Sequence, residues 1–167
     1  MFLLRSIRKA KWYKNLGVPW LSDVELQADA LSDLTTSANC LSVWQVEDDF
    51  SNLNRVVAAL SSKRNVLVNF DYALINQELL TSLEVKIKQS LGDTPDLDAN
   101  AKWHWDIYEL SVSTLVRIAN FIHKSANIER VMPNDVAKAI SISLRANTFD
   151  LNKIDQKLLN RIKETPQ

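Results

Sequence analysis

Glycine is scarce in this chain, with two residues among 167, Gly17 and Gly92. A phosphate-binding loop of the G-x-x-x-x-G-K form, a dinucleotide-binding fingerprint and a G-x-S-x-G nucleophile elbow each need at least two closely spaced glycines. The sequence therefore lacks these motifs, and we expect no cofactor bound through them.

Cysteine and histidine are almost as rare. Cys40 is the single cysteine, so the chain has neither an internal disulfide framework nor a cysteine-rich zinc site. His104 and His123 are too far apart to form an H-x-x-x-H pair of the kind that binds zinc from one helix. We expect Cys40 to act as a small buried apolar residue.

The chain has no net charge and no long apolar run. Twenty basic residues balance twenty acidic residues, which argues against a global attraction to nucleic acid or to acidic membranes. The run Phe2-Leu3-Leu4 is too short for a signal peptide, and no stretch approaches a membrane span. With 46% hydrophobic residues the chain has enough apolar surface for a folded core. We predict a cytoplasmic globular protein that does not enter a membrane.

Apolar residues are spread around most of a helical wheel in the segment 93–127. At about 100° per residue, Trp103, Ile107 and Leu110 share one side, whereas Trp105 and Val112 lie on the opposite side. The polar residues form only a narrow stripe. This pattern predicts a central, almost fully buried helix that begins near position 98 or 100 and ends at 126–127.

Alternating strand and helix patterns fill the first half of the chain. The predicted elements are a strand at 40–46, a helix at 51–64, a strand at 66–70, a helix at 76–83 and a lysine-flanked edge strand at 85–87. This order is typical of a βαβαβ sheet layer with parallel strands. The segment 23–34 fits either a short helix or an irregular strand.

Two amphipathic patterns follow the central segment, one opened by Pro133 and one at 150–163. We expect both to be helices that cover the central helix. The predicted fold class is thus α+β or α/β, with the βαβαβ layer in residues 1–92 and a three-helix, all-α half in residues 93–167. No flexible linker separates the two halves, so we predict one continuous compact unit.

Carboxylates at the predicted strand ends are the first candidate site. Asp48 and Asp49, with Glu47, follow the first strand, and Asp71 follows the second. If parallel strands bring these ends together, the carboxylates could bind Mg²⁺ or Mn²⁺ and support a metal-dependent phosphoesterase or nuclease-like reaction. Alternatively, these residues only cap helices and turns.

The run Trp103-His104-Trp105-Asp106 is the second candidate. Two tryptophans could shape a pocket in which His104 acts as a general base. The alternative is a structural histidine that packs and forms hydrogen bonds at the border of an apolar face.

A basic and aromatic segment at the start of the chain is the third candidate. Such a segment could bind a protein partner, or grip phosphates and stack on bases of a nucleic acid. Its rings could instead pack on the sheet, with the cations as a solvated fringe. The residues concerned are Arg5, Arg8, Lys9, Lys11, Trp12, Lys14 and Trp20.

These observations favour a non-enzymatic role. Five tryptophans and zero net charge, without a recognisable cofactor site, suit a protein–protein interaction module, a subunit of a larger complex or a self-associating protein. The alternatives are the metal-dependent enzyme that uses Asp48, Asp49 and Asp71, and a nucleic-acid binder that uses the basic segment.

Overall fold

A computed structural model of the chain describes residues 1–12, 25–81 and 83–164. Lys14 and Trp20, and the turn expected at Gly17, lie outside these residues. Within the described ranges, six strands form one antiparallel sheet in the order β4-β5-β2-β1-β3-β6. The strands are β1 (Phe2–Ile7), β2 (Leu41–Val46), β3 (Phe70–Asn76), β4 (Lys86–Gln89), β5 (His104–Tyr108) and β6 (Asn127–Val131).

Helices cover both faces of this sheet. They are α1 (Leu53–Ser61), α2 (Gln77–Thr81), α3 (Leu97–Lys102), α4 (Val112–Ser125), α5 (Pro133–Arg145) and α6 (Gln156–Glu164), with short 3-10 helices at Lys9–Lys11, Ala28–Leu34 and Leu151–Lys153. One core lies between the sheet and α1, α5 and α6, and the other lies between the sheet and α4 with the 3-10 helix Ala28–Leu34. None of the helices in the described residues is long and apolar enough to cross a bilayer.

The central strand β1 was not expected from the sequence. Leu3 and Leu4 are fully buried, and they point to opposite faces because successive side chains of a strand alternate. Leu4 pairs with Trp44 on one side and with Leu74 on the other. The apolar run that is too short for a signal peptide therefore forms the middle of the sheet.

The predicted central helix is wrong. The segment forms α3, then β5, then α4, and Val112, expected to be buried, is 82% exposed. The reason is that β5 lies between two layers. Trp105 and Ile107 pack in one core, whereas His104, on the other face of the strand, contacts Trp44 of the other core. Residues of such a strand, spread at 100° each, cover most of a helical wheel and imitate a buried helix.

The parallel βαβαβ layer is also wrong, although several of its elements are confirmed. Strand 40–46, the helix after Ser51, a short helix within 76–83 and the edge strand β4 are present. The strand expected at 66–70 is displaced to Phe70–Asn76, and Val66 and Val68 are exposed. Because β1 inserts between β2 and β3, the two strands that were expected to be parallel neighbours are not adjacent. Every pair of neighbouring strands in the described part of the chain is antiparallel.

The second half of the chain is not all-helical, since β5 and β6 join the sheet. The amphipathic patterns at its end are confirmed as α5 and as α6 preceded by a 3-10 turn. The ambiguous segment before Thr35 is the 3-10 helix Ala28–Leu34. Asn147, with φ 53°, takes the left-handed conformation after α5 that asparagine tolerates, whereas Asn127 opens β6 instead.

Candidate functional site

The ladder between β1 and β2 stops at Leu4 and Trp44, although β1 continues to Ile7. Arg5 lies where the ladder ends. Its Nη1 donates to the carbonyl oxygen of Ser42 at 2.8 Å, and its Nε and Nη2 donate to that of Asp33 at 3.0 and 2.7 Å. Burial lowers the pKa of Arg5, while the nearby Asp33 carboxylate raises it. The guanidinium stays protonated, because an arginine side chain does not lose its proton in a protein. Arg5 thus fills the gap between the strands and satisfies carbonyl groups there.

A cleft of about 480 Å³ opens over this gap. It is bounded by the end of α1, by the loop 91–94 and by the turn 37–40. That turn is tight, because Ser37 and Cys40 exchange two backbone hydrogen bonds while Ala38 and Asn39 both have positive φ. Positive φ at an alanine is strained, and such strain persists only where the surrounding structure imposes it.

The floor of the cleft is polar, in contrast to the rest of that sheet face. Leu4 and Trp44 belong to the buried core, but the next residues toward the cleft on the same face are Ser6 and Ser42. On β5 the same step leads from His104 to Asp106, which is opposite Ser42 in the ladder. Polar residues thus replace apolar ones where the helices no longer cover the sheet.

His104 is 7% exposed and lies at the inner end of the floor. Its Nδ1 is 2.9 Å from Ser90 Oγ, and its ring contacts Trp44 edge-on with centroids 5.1 Å apart. Burial lowers the pKa of His104, and the opposing effects of Asp106 and Ser90 do not cancel this. The imidazole is therefore neutral at physiological pH, and no hydrogen bond to its Nε2 is formed by the described part of the chain.

Gly92 holds the loop wall against this histidine. A Cβ atom on Gly92 would lie 2.9 Å from Asn100 Oδ1, 2.9 Å from Trp44 Cη2 and 3.0 Å from His104 Cβ. These contacts are too short for any side chain. The same Asn100 amide oxygen accepts from the backbone N–H of Thr94 at 2.9 Å and from its hydroxyl at 2.7 Å. The wall is therefore a hydrogen-bonded loop in which Gly92 and Thr94 are buried, while Leu91 and Asp93 are exposed.

The predicted carboxylate cluster is not brought together. Asp71 lies at the start of β3 opposite Ile7, whereas Phe2 pairs with Val46, two residues before Asp48. The five residue steps from Phe2 to Ile7 correspond to about 17 Å along the strand. In the ranges the structure describes, no group of three or more histidine, cysteine, aspartate or glutamate side chains is placed to hold a metal ion.

Each of these carboxylates has partners of its own. Asp48 lies 2.7 Å from the amino group of Met1. Asp49 is exposed and accepts from the backbone N–H of Ser51 at 2.9 Å, which lowers its pKa. Asp71 is buried and accepts two hydrogen bonds from Arg130, at 2.7 and 3.0 Å.

The basic N-terminal segment is largely engaged within the protein. Asp33 accepts from the backbone N–H and Nε of Arg8, and also from Nε1 of Trp12 at 3.0 Å. Lys11 Nζ contacts Ser32 Oγ at 2.7 Å, and the backbone N–H of Lys9 donates to Asp71. Trp12 is buried, so its ring has no free face for a nucleic-acid base.

Sequence reasoning identified His104 and Arg5 but assigned them to different sites. It named Asp106 only as part of the run around His104, and it missed Ser42. The alternation through β2 and β5 carried a signal, because polar residues occupy positions whose neighbours two places away are buried. This pattern can be recognised only when both segments are known to be adjacent strands.

Comparison with known proteins adds no family to this description. No family matches the chain, and no significant similarity to a curated protein or to a solved structure was found.

Proposed function

We propose that this protein is a non-enzymatic protein–protein interaction module that acts as a subunit of a larger complex. The observation that supports this role is the conformation of Phe50. Its side chain is 42% exposed and its φ is 59°, a left-handed conformation that bulky side chains rarely adopt. Holding a residue there costs about 1–2 kcal/mol.

The turn that precedes α1 imposes this conformation. The backbone N–H of Phe50 donates to the carbonyl of Glu47, and the carbonyl of Phe50 accepts from Leu53. The ring stacks on Phe2 with centroids 5.5 Å apart, which leaves its other face toward solvent. A large aromatic surface is thus held rigidly at low entropic cost to a partner, as in the aromatic anchors of binding hot spots.

A groove begins at the residue that follows Phe50. It measures about 310 Å³, starts at Ser51 and runs between α1 and α5 to Ala146 and Thr148. Ile142 on its α5 wall is 61% exposed. We call Phe50, Ser51, Asn54 and Ile142 the Phe50 surface. An exposed aromatic ring followed by a groove with mixed polar and apolar lining suits a partner that inserts side chains there and accepts Phe50 in return.

Acidic residues define the partner's chemistry. Glu47, Asp48 and Asp49 directly precede Phe50, and Asp48 and Asp49 are exposed. We therefore assign to this surface a protein partner that presents an apolar pocket with a lysine- or arginine-rich rim. Charges of this kind at the edge of an interface govern the association rate and its salt dependence more than the affinity.

A photo-crosslinking amino acid at position 50, introduced into the full-length chain in its native host, tests the proposal. One partner band should form, and mass spectrometry should place the crosslink in a basic, apolar region of that partner. The band should weaken with added salt, with Asp49→Lys and with Ile142→Asp. The same crosslinker at Val112, which is exposed on the opposite layer, is the matched control and should not capture this partner.

Phe50→Asn removes the ring but keeps a residue that tolerates positive φ, so the fold should be retained while partner binding is lost. Equal capture from positions 50 and 112, or a partner whose binding is unaffected by Phe50→Asn, would refute the proposal. A crosslink to a second copy of this chain would instead identify the surface as a homo-oligomer contact and would contradict the assigned partner chemistry.

A further inference from the structure

We propose that the cleft between β1, β2 and β5 binds a small organic carboxylate with an apolar body, and that the carboxylate group lies beside Ser6 on the β1 side. This site is independent of the Phe50 surface. The cleft adjoins the end of α1, at Leu60 and Lys63, whereas the Phe50 surface adjoins its beginning.

Two partly buried arginines adjoin Ser6, and both use neutral hydrogen-bond acceptors. Arg5 donates to backbone carbonyls in the gap between β1 and β2. Arg64 donates to the carbonyl of Asn69 at 3.1 Å and to Ser6 Oγ at 3.5 Å. Such acceptors satisfy N–H groups but leave the positive charge in place. A positive potential therefore persists around the Ser6 hydroxyl.

The carboxylates that act on these two arginines have other partners. Asp33 forms an ion pair with Arg8, and Asp71 forms one with Arg130, each at 2.7 Å. They raise the pKa of the two guanidinium groups by less than burial lowers it. An anion that enters the cleft would compensate the charge that these carboxylates leave.

The wall of the cleft adds a further positive charge. Lys63 and Lys153 share Asp93, at 3.4 and 3.1 Å, so the three groups together carry one net positive charge. Lys63 also reaches the inner end of the cleft electrostatically. Burial is the main reason that the pKa of His104 is lowered, and Lys63 lowers it further.

Asp106, on the floor, lies away from the β1 side. Strand β2 separates it from Ser6, and two strand spacings amount to about 10 Å. Ser42 Oγ donates to its carboxylate at 3.4 Å, and Lys88 is opposite it in the ladder with β4. Asp106 thus keeps an anionic group off the β5 side and directs it toward Ser6.

The remaining lining suits an uncharged, apolar body. The volume of about 480 Å³ is in the range of small-molecule sites, and Leu60, Leu91 and Trp44 supply apolar surface. The neutral ring of His104 closes the inner end, fixed by its contacts with Ser90 and Trp44. Ser6 supplies a donor for the charged end, because its Oγ accepts from Arg64 and its own proton can be given to a ligand.

A carboxylate fits this cleft better than a phosphate. Phosphate sites usually present several N–H groups from a loop or from the start of a helix. The helix end at this cleft is instead the C-terminal end of α1, where the helix dipole is unfavourable for a multiply charged anion. The ligand should therefore carry a single negative charge.

Cys40, the single cysteine, lines the same cleft and serves as a reporter. The rate at which iodoacetamide, an uncharged reagent, alkylates Cys40 in the full chain can be measured with 3-phenylpropanoate, with 2-phenylethylamine and with inorganic phosphate. The carboxylate should slow the alkylation and raise the melting temperature. The amine, which has a similar body and the opposite charge, should do neither, and phosphate should do neither.

Ser6→Ala removes the donor and should weaken binding of 3-phenylpropanoate about tenfold. Lys63→Gln leaves Asp93 paired with Lys153 and should weaken it about threefold. Lys138→Gln, at an exposed cation on α5, is the matched control for charge and should leave binding unchanged. Asp106→Asn should bind the carboxylate at least as tightly as wild type. Circular dichroism confirms that each variant is folded.

The proposal is overturned if 3-phenylpropanoate fails to protect Cys40 at about 10 mM, a concentration that saturates a millimolar site. Equal protection by the amine or by phosphate overturns it, because the cleft would then not select a single negative charge. Weaker binding to Asp106→Asn, or unchanged binding to folded Ser6→Ala and Lys63→Gln, overturns the placement of the carboxylate beside Ser6.

Discussion

Arg55 and Asp96 form a two-pronged ion pair, with Nε and Nη2 of the guanidinium 2.6 and 2.8 Å from the two carboxylate oxygens. Asp96 is completely buried, and it also caps α3 by accepting from the backbone N–H of Ala99 at 2.9 Å. The hydrogen bonds to Asp96 are the main reason that the pKa of Arg55 is raised. This pair fastens α1 to the segment that leads into β5.

Replacing Arg55 should strongly destabilise the folded protein. Arg55→Met leaves the carboxylate of Asp96 buried without its cation, and the free energy of unfolding should fall by about 3–5 kcal/mol. Urea denaturation followed by circular dichroism measures the change. Lys138→Met, which breaks an exposed pair with Asp135, is the control and should have little effect. Equal stability of both variants would show that the Arg55 pair does not fasten the two elements.

Gly92→Ala tests the close packing of the cleft wall. The new Cβ would lie within 3.0 Å of Asn100, Trp44 and His104, so either the loop or the rings must move. We expect a loss of about 1–3 kcal/mol in the free energy of unfolding, measured by thermal and urea denaturation. Leu91→Ala, at the exposed neighbouring position, should change stability by less than about 0.5 kcal/mol. A neutral Gly92→Ala variant would contradict the packing described for this loop.

Asp71 should contribute stability that depends on pH. Burial alone would raise its pKa, but the hydrogen bonds from Arg130 and from the backbone N–H of Lys9 outweigh it and hold the pKa below its usual value. A depressed carboxyl pKa gives stability that is present above the unfolded value near 3.9 and is lost as pH falls through the folded value. Asp71→Asn should therefore be less stable than wild type by about 2 kcal/mol at neutral pH, with the gap closing in acid. Urea titrations across that range test this, and a gap independent of pH would contradict it.

His104 should make the stability of the protein depend on pH closer to neutrality than Asp71 does. Burial depresses its pKa below the unfolded value of about 6.5, so the stability associated with the neutral ring is present above that value and is lost as pH falls below it. Between about pH 7 and about pH 5, wild type should lose more stability than His104→Asn. His123 is present in both proteins and cancels in the comparison. Parallel stability curves would show that His104 carries no such linkage.

Local pattern predicted those elements whose signals are contained in their own residues. The lysine-flanked alternation at β4, the proline at the start of α5 and the β-formers of β2 were sufficient, because each depends on neighbours within a few positions. β1 could not be predicted in this way, since its pairing partners lie far along the chain. β5 was mistaken for a helix because its short alternation lies between α3 and α4, whose apolar residues were placed on the same helical wheel.

The candidate site was accessible to sequence reasoning only in part. His104 stood out by its residue type, but Ser42 and Asp106 acquire meaning from being opposite each other across two strands. The gap that Arg5 fills depends on where a ladder stops, which no local pattern encodes. Sites made by the divergence of paired strands are therefore harder to predict than sites made by consecutive residues.

The position of β1 also bears on how the molecule assembles. A long stretch of chain separates β1 from β2, and another separates β2 from β3. The middle of the sheet therefore forms only after contacts between residues far apart in sequence have been made. Refolding should consequently be slower than in an all-helical protein of equal size. The amide hydrogens of Leu3 and Leu4, where β1 is paired with both neighbours, should be among the last to exchange with heavy water, because exposing this part of β1 requires opening both ladders.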